Sequence, residues 1–143
     1  MPGVCNKTVP AGPFGPALAV ALLAGAAAGQ AGAIALPSGR AVSFHDVIQN
    51  EPGPTGLTVR FRFVEADLAE VLDVTPYEEL EADMRYLCES YALGRISNTG
   101  PRPTGVVISI SDRPVEFGAP DPDVAQVFEV YRPDGAACVW EGY

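Results

Sequence analysis

An uncharged run of apolar and small residues from Ala17 to Leu36 divides the chain before any fold is considered. Lys7 and the amino terminus place positive charge ahead of it. Ala17 to Ala24 supplies an apolar centre of alternating Ala, Leu and Val, and Gly25 to Ala33 is almost wholly small. Positive, apolar and small segments in that order are the layout of a secretory signal. Signal peptidase requires small side chains at −3 and −1. The pairs Gly29/Ala31 and Ala31/Ala33 meet that requirement, so cleavage is expected after Ala31 or Ala33. Residues 1–33 then read as the signal peptide and 34–143 as one globular domain of periplasmic or secreted location. The rival reading is an uncleaved anchor facing the periplasm from the inner membrane, because Ala17 to Leu36 is about long enough to span a bilayer core. A lipoprotein does not fit, since Cys5 precedes the apolar run instead of following it.

The remaining stretch of about 110 residues is enough for one core that buries roughly 65% of the unfolded chain's surface. Apolar residues make up 48% and charged residues 19% of the chain, a composition of folded rather than disordered protein. Lys7 is the chain's one lysine, so beyond the leader eight arginines face all 18 acids, a formal charge of −10. Such a surface repels nucleic acid and anionic lipid, whose binding needs a basic patch. Contact with a membrane is expected only if the leader stays uncleaved.

Leu57 to Val64 alternates clearly. Leu57, Val59, Phe61 and Phe63 share one side, while Thr58, Arg60 and Arg62 share the other. The paired arginines Arg60 and Arg62 are candidate ligand-binding residues for an anion, against a plain solvated sheet face. Thr75-Pro76-Tyr77-Glu78 predicts a helix start with Thr75 as cap, proline in the first turn and Glu78 closing a capping box. The helix is expected to end near Leu93, before Gly94. Its stripe is Tyr77, Leu80, Met84, Leu87, Cys88 and Tyr91, which should face away from water. Glu78, Glu79, Glu81 and Asp83 read as an acidic solvated face, with metal binding as the alternative.

Further strands are expected at Ala41–Phe44, Val106–Ile110 and Val115–Phe117, the last pairing back after Asp112-Arg113-Pro114. Glu65 to Val74 suits a short helical turn. Val127–Tyr131 and Ala137–Glu141 are read as a hairpin about Pro133-Asp134-Gly135. The resulting order β-β-α-β-β-β-β implies an α+β fold, an antiparallel sheet with one main helix packed on one face.

Nucleotide, zinc-protease and nucleophile-elbow motifs are missing from the sequence. His45 is the only histidine, so it is the catalytic candidate if one exists, with Ser109 or Ser111 as its hydroxyl partner. Asp46 is not expected to orient it, because neighbours in a strand point to opposite faces. No metal site and no cofactor are expected.

The segments Gly56–Val64, Leu87–Leu93, Ile110–Gly118 and Cys138–Tyr143 together resemble a family of short exported proteins of alphaproteobacteria, chiefly the Rhodobacter and Roseobacter groups, classed as a domain of unknown function. The resemblance implies no activity and no site residues. Members sometimes carry the automatic label acetolactate synthase. The chain is several times too short for a thiamine-diphosphate catalytic subunit, and the small regulatory partner of that enzyme has no use for a signal peptide. The favoured function is therefore a non-enzymatic periplasmic module that binds an unknown protein partner or small ligand. The alternatives are a small hydrolase using His45 and a membrane-anchored accessory subunit of an inner-membrane complex.

Beyond the leader only Cys88 and Cys138 remain, and an even count in an exported chain reads as a disulfide. Their spacing of fifty residues argues against a redox dithiol, whose cysteines lie close in sequence. Protein recovered from an oxidising compartment without reductant is expected to show no free thiol. Either Cys→Ala variant should lose up to about 4 kcal/mol of unfolding free energy, the entropy of closing a loop of that length. Two titratable thiols would remove the bond.

Overall fold

A computed structural model describes residues 32–142, together with Gly3, Ala11, Gly12 and Gly15. Apart from those four and its last two residues, the leader expected over 1–33 lies outside the described residues.

Six strands form one sheet in sequential order: β1 (Ala33–Ala35), β2 (Ala41–Gly53), β3 (Gly56–Val64), β4 (Gly105–Ser111), β5 (Gln126–Asp134) and β6 (Ala137–Trp140). Helices α1 (Leu68–Val74) and α2 (Tyr77–Leu87) lie between β3 and β4. The class is α+β, but the sheet is mixed rather than antiparallel, because β3 and β4 run parallel. The connection that holds both helices carries the chain back to the end where β3 began, so the next strand enters in the same direction. Gly105–Ser111 shows the mark of such a strand: every residue of it is buried.

Other differences follow from local chemistry. Ala33–Ala35, expected at the cleavage zone, pairs with Ala41–Ser43 as β1, and Leu36 beside it is buried. A membrane span reaching Leu36 would therefore overlap the fold. Among the described residues no helix is long and apolar enough to cross a membrane. The strand expected at Ala41–Phe44 continues to Gly53 through two irregularities, one at His45 and one between Ile48 and Glu51, where Asn50 has φ 56°. Asn tolerates that left-handed conformation better than most residues. Val115–Phe117 forms no strand, since its stretch is drawn over the sheet instead. The β5–β6 hairpin is present, turning at Gly135 with φ 62°.

Helix α2 begins one residue later than expected. Pro76 is its N-cap, no side chain closes a capping box, and Thr75 instead ends α1. The helix loosens and then tightens at its far end through a π turn (Cys88–Ala92) and a 3₁₀ turn (Leu93–Arg95). Leu80, Met84, Leu87 and Cys88 of the expected stripe are buried against Val59, Phe61, Phe63, Val106, Ile108, Ile110 and Tyr131 of the sheet. Tyr77 is the exception at 53% exposure, although its hydroxyl reaches the buried Glu129. Tyr91 joins an aromatic cluster, 5.4 Å from both Phe44 and Phe63. Cys88 and Cys138 are joined, with Cα atoms 6.3 Å apart, and tie the last strand to the π turn.

Asp83 does not belong to a solvated acidic face. It is fully buried, since its helical position falls beside Leu80, Met84 and Leu87. The Ser38 backbone N–H and hydroxyl donate to its carboxylate at 3.0 and 2.6 Å. Arg40 lies 3.2 Å from Asp83 and 3.3 Å from Glu65. The Arg40 guanidinium nitrogens make no hydrogen bond among the described residues, so this is charge pairing without directed bonds. Burial pushes the Glu65 carboxyl up, with Arg40 pulling the other way. The trio fastens the β1–β2 turn onto α2. Removing one member of a buried charge group leaves its partner unpaired in low dielectric. Asp83→Ala is therefore expected to cost about 3–5 kcal/mol in urea unfolding. Arg85→Ala, which removes an exposed i,i+4 pair with Glu81, should cost no more than about 0.5 kcal/mol. Equal losses would contradict this account of the trio.

Candidate functional site

Both helices cover one face of the sheet. The opposite face carries the polar half of β3, and here Arg60 and Arg62 stand side by side as their alternation requires. The strand registers fix what surrounds them. Arg62 is flanked by Asp46 on β2 and Ser109 on β4, and Ser109 is flanked in turn by Phe128 on β5. Arg60 lies between Ile48 and Val107.

Arg62 is neither a free anion receptor nor solvated. Only 7% of it is exposed. Its Nε donates to Asp46 Oδ1 at 2.6 Å, its Nη2 to Oδ2 at 2.5 Å, and its Nη1 to the Val115 carbonyl at 2.8 Å. The Arg62 guanidinium holds the Asp46 carboxyl below the usual carboxylate range, and the same bond raises Arg62. Arg60 is less fully engaged. Its Nε donates to Glu51 Oε2 at 3.1 Å and its Nη2 makes a long contact with Oε1 at 3.5 Å.

The segment after β4 crosses over these arginines. Its base is closed where the Asp112 N–H donates to the Ala125 carbonyl at 3.0 Å, and the Arg113 guanidinium braces it by donating to the Asp123 carbonyl at 2.7 Å. Asp112 thus closes the segment from both its backbone and its carboxylate, which accepts from the Ala125 N–H at 3.3 Å. Phe117 is carried over both guanidinium groups, 5.5 Å from Arg60 and 5.9 Å from Arg62, while Phe128 approaches Arg60 from β5 at 5.6 Å. Phe117 and Phe128 keep 43% and 56% of their surface exposed. Between segment and sheet lies a groove of about 310 Å³ lined by Arg60, Arg62, Glu116, Phe117, Gln126 and Phe128. Arg60 and Arg62 were legible from β3 alone. Asp46, Glu51, Phe117, Gln126 and Phe128 were not, because strand pairing and the crossing segment bring them there.

His45 is the extra residue of the first β2 irregularity. The broken alternation lets its ring approach the neighbouring Asp46 carboxylate at 3.7 Å, which a regular strand would prevent. Neither candidate serine bonds to it: Ser109 Oγ accepts from the Gln126 amide at 2.9 Å, and Ser111 Oγ donates to the Arg113 carbonyl at 2.8 Å. Among the described residues no three His, Cys, Asp or Glu side chains converge to hold a metal ion.

A second polar constellation lies on the helix side. Glu129, buried on β5, accepts from the Tyr77 hydroxyl and from the Trp140 indole N–H. The bond to Glu129 pushes the Tyr77 phenol up to about 12, so it acts as a donor clamp and not as a base. Cys138 is anchored nearby, its N–H donating to Glu89 Oε1 at 3.1 Å.

A family model described as Family of unknown function (DUF6497) matches residues 17–143. No curated protein and no solved structure matches the chain.

The Arg62–Asp46 pair makes a pH prediction. A carboxyl depressed in the folded state contributes stability above its unfolded pKa of about 3.9, and loses it as pH falls through the folded value. Stability measured by urea unfolding below about pH 5 should fall less steeply with acid in Asp46→Asn than in the parent. Identical slopes would mean that the pair adds nothing.

Proposed function

We propose that this chain, which belongs to the family of unknown function matched over residues 17–143, is an exported, non-enzymatic module that binds a small ligand in the groove between Phe117 and Phe128. One observation carries the reading: two half-exposed aromatic rings flank a guanidinium at the mouth of a closed-base segment. Large exposed rings beside a concave polar floor mark binding surfaces more often than ordinary solvated ones.

No serine, threonine, cysteine, lysine or histidine lines the groove among the described residues. Both arginines are ion-paired, and the Ser109 hydroxyl is taken by Gln126. His45 has Asp46 as its polar partner, and Ser109 and Ser111 bond elsewhere. Export is supported by the apolar run, which the family model includes from residue 17, and by the Cys88–Cys138 bond. A periplasmic or secreted location fits both.

Two readouts from one preparation test this reading. The full chain, expressed with its leader and a C-terminal tag in a Gram-negative host, should yield a mature protein beginning at Gly32. Cleavage after Ala31 keeps all three β1 pairs, whereas cleavage after Ala33 deletes Ala33↔Ser43. A fragment library screened on that protein by amide NMR should perturb Phe117, Gln126 and Phe128 together. Retention of Met1 would overturn export, and shifts scattered away from the groove would overturn the binding assignment.

A further inference from the structure

We infer that the ligand of this groove is uncharged: a planar aromatic molecule of one or two rings bearing a carbonyl-type acceptor, and not the anion that two adjacent arginines suggest. The inference rests on the groove being the binding site. Its basis is a charge balance. Arg60 and Arg62 face Glu51 and Asp46 across the strand boundary, one carboxylate for each guanidinium. Glu116, which lines the groove itself, adds a third negative charge, and acids outnumber bases in the folded domain. An anion entering here meets positive charge already neutralised and a field of its own sign. A cation would be drawn by Glu116 but repelled by two guanidinium groups lying over the very rings it would stack on.

What remains unfilled is specific. Arg60 Nη1 has no acceptor among the described residues, while Nε and Nη2 are turned to Glu51. Gln126 gives one of its two amide N–H groups to Ser109. The groove thus presents a charged guanidinium with N–H groups to spare beside two aromatic rings that stay half exposed. A flat ring satisfies the Phe faces by stacking, and one carbonyl oxygen satisfies the donor without bringing net charge. The volume of about 310 Å³ is at the small end of ligand sites and sets the limit of one or two rings.

A matched series on one ring system tests this on the mature protein: 2-acetylnaphthalene, 2-methylnaphthalene, 2-naphthoate and 2-naphthylmethylammonium, titrated by amide NMR at fixed salt. The ketone is expected to bind tightest, by roughly threefold or more over the naphthoate, with Phe117, Gln126 and Phe128 shifting. Glu116→Gln, an exposed change that leaves the fold intact, should narrow the gap between ketone and naphthoate. Tightest binding by the naphthoate would overturn the uncharged ligand while leaving the groove as the site. Equal binding of ketone and methylnaphthalene would overturn the acceptor requirement. No shift at the groove with any of the four would overturn the binding-module reading beneath it.

Discussion

Strand β4 joins β3 in parallel and β5 in antiparallel register, and no residue along it is open to water. Val106, Ile108 and Ile110 meet α2 and the π turn, while Gly105, Val107, Ser109 and Ser111 face the other way under the side chains of neighbouring strands. A strand closed on both faces can sit only at the centre of a sheet, with something on each side. Helices supply the cover on one side. On the other the cover is partial, and the groove exists where the segment following β4 stops short of β5.

Charges are used in this fold as joints between separate elements. Asp83 and Arg40 fasten the first turn to the main helix, and Asp46 and Arg62 fasten β2 to β3 beneath the crossing segment. Glu129 fastens the start of α2 and the last strand to the centre of the sheet. Each is worth little as net stability, since desolvation opposes the attraction, but each is costly to break on one side only. Such groups favour one arrangement of the chain over alternatives that satisfy the same apolar pattern.

The disulfide acts at the same level. Cys138 is drawn to α2's end by the covalent bond and by Glu89, so the short edge strand β6 is held in a place its four residues would not secure alone. On the second face the guanidinium groups of Arg60 and Arg62 are likewise held, each paired with a carboxylate.

Much of the fold was readable from one dimension. Alternation in Leu57–Val64 placed the arginines on the face away from the core, the spacing of Leu80, Met84, Leu87 and Cys88 placed the helix stripe, and the two remaining cysteines named each other. These are local periodicities or simple counts, and the sequence by itself determined them. The parallel pairing of β3 and β4, the strand at Ala33–Ala35 and the gathering of Glu51, Asp46, Phe117 and Phe128 around the arginines were decided only by the tertiary structure. Each depends on which strand lies beside which. Periodicity shows which face a residue occupies, but a partner's identity is set by pairing across tens of residues, where chain connectivity and buried charge decide together.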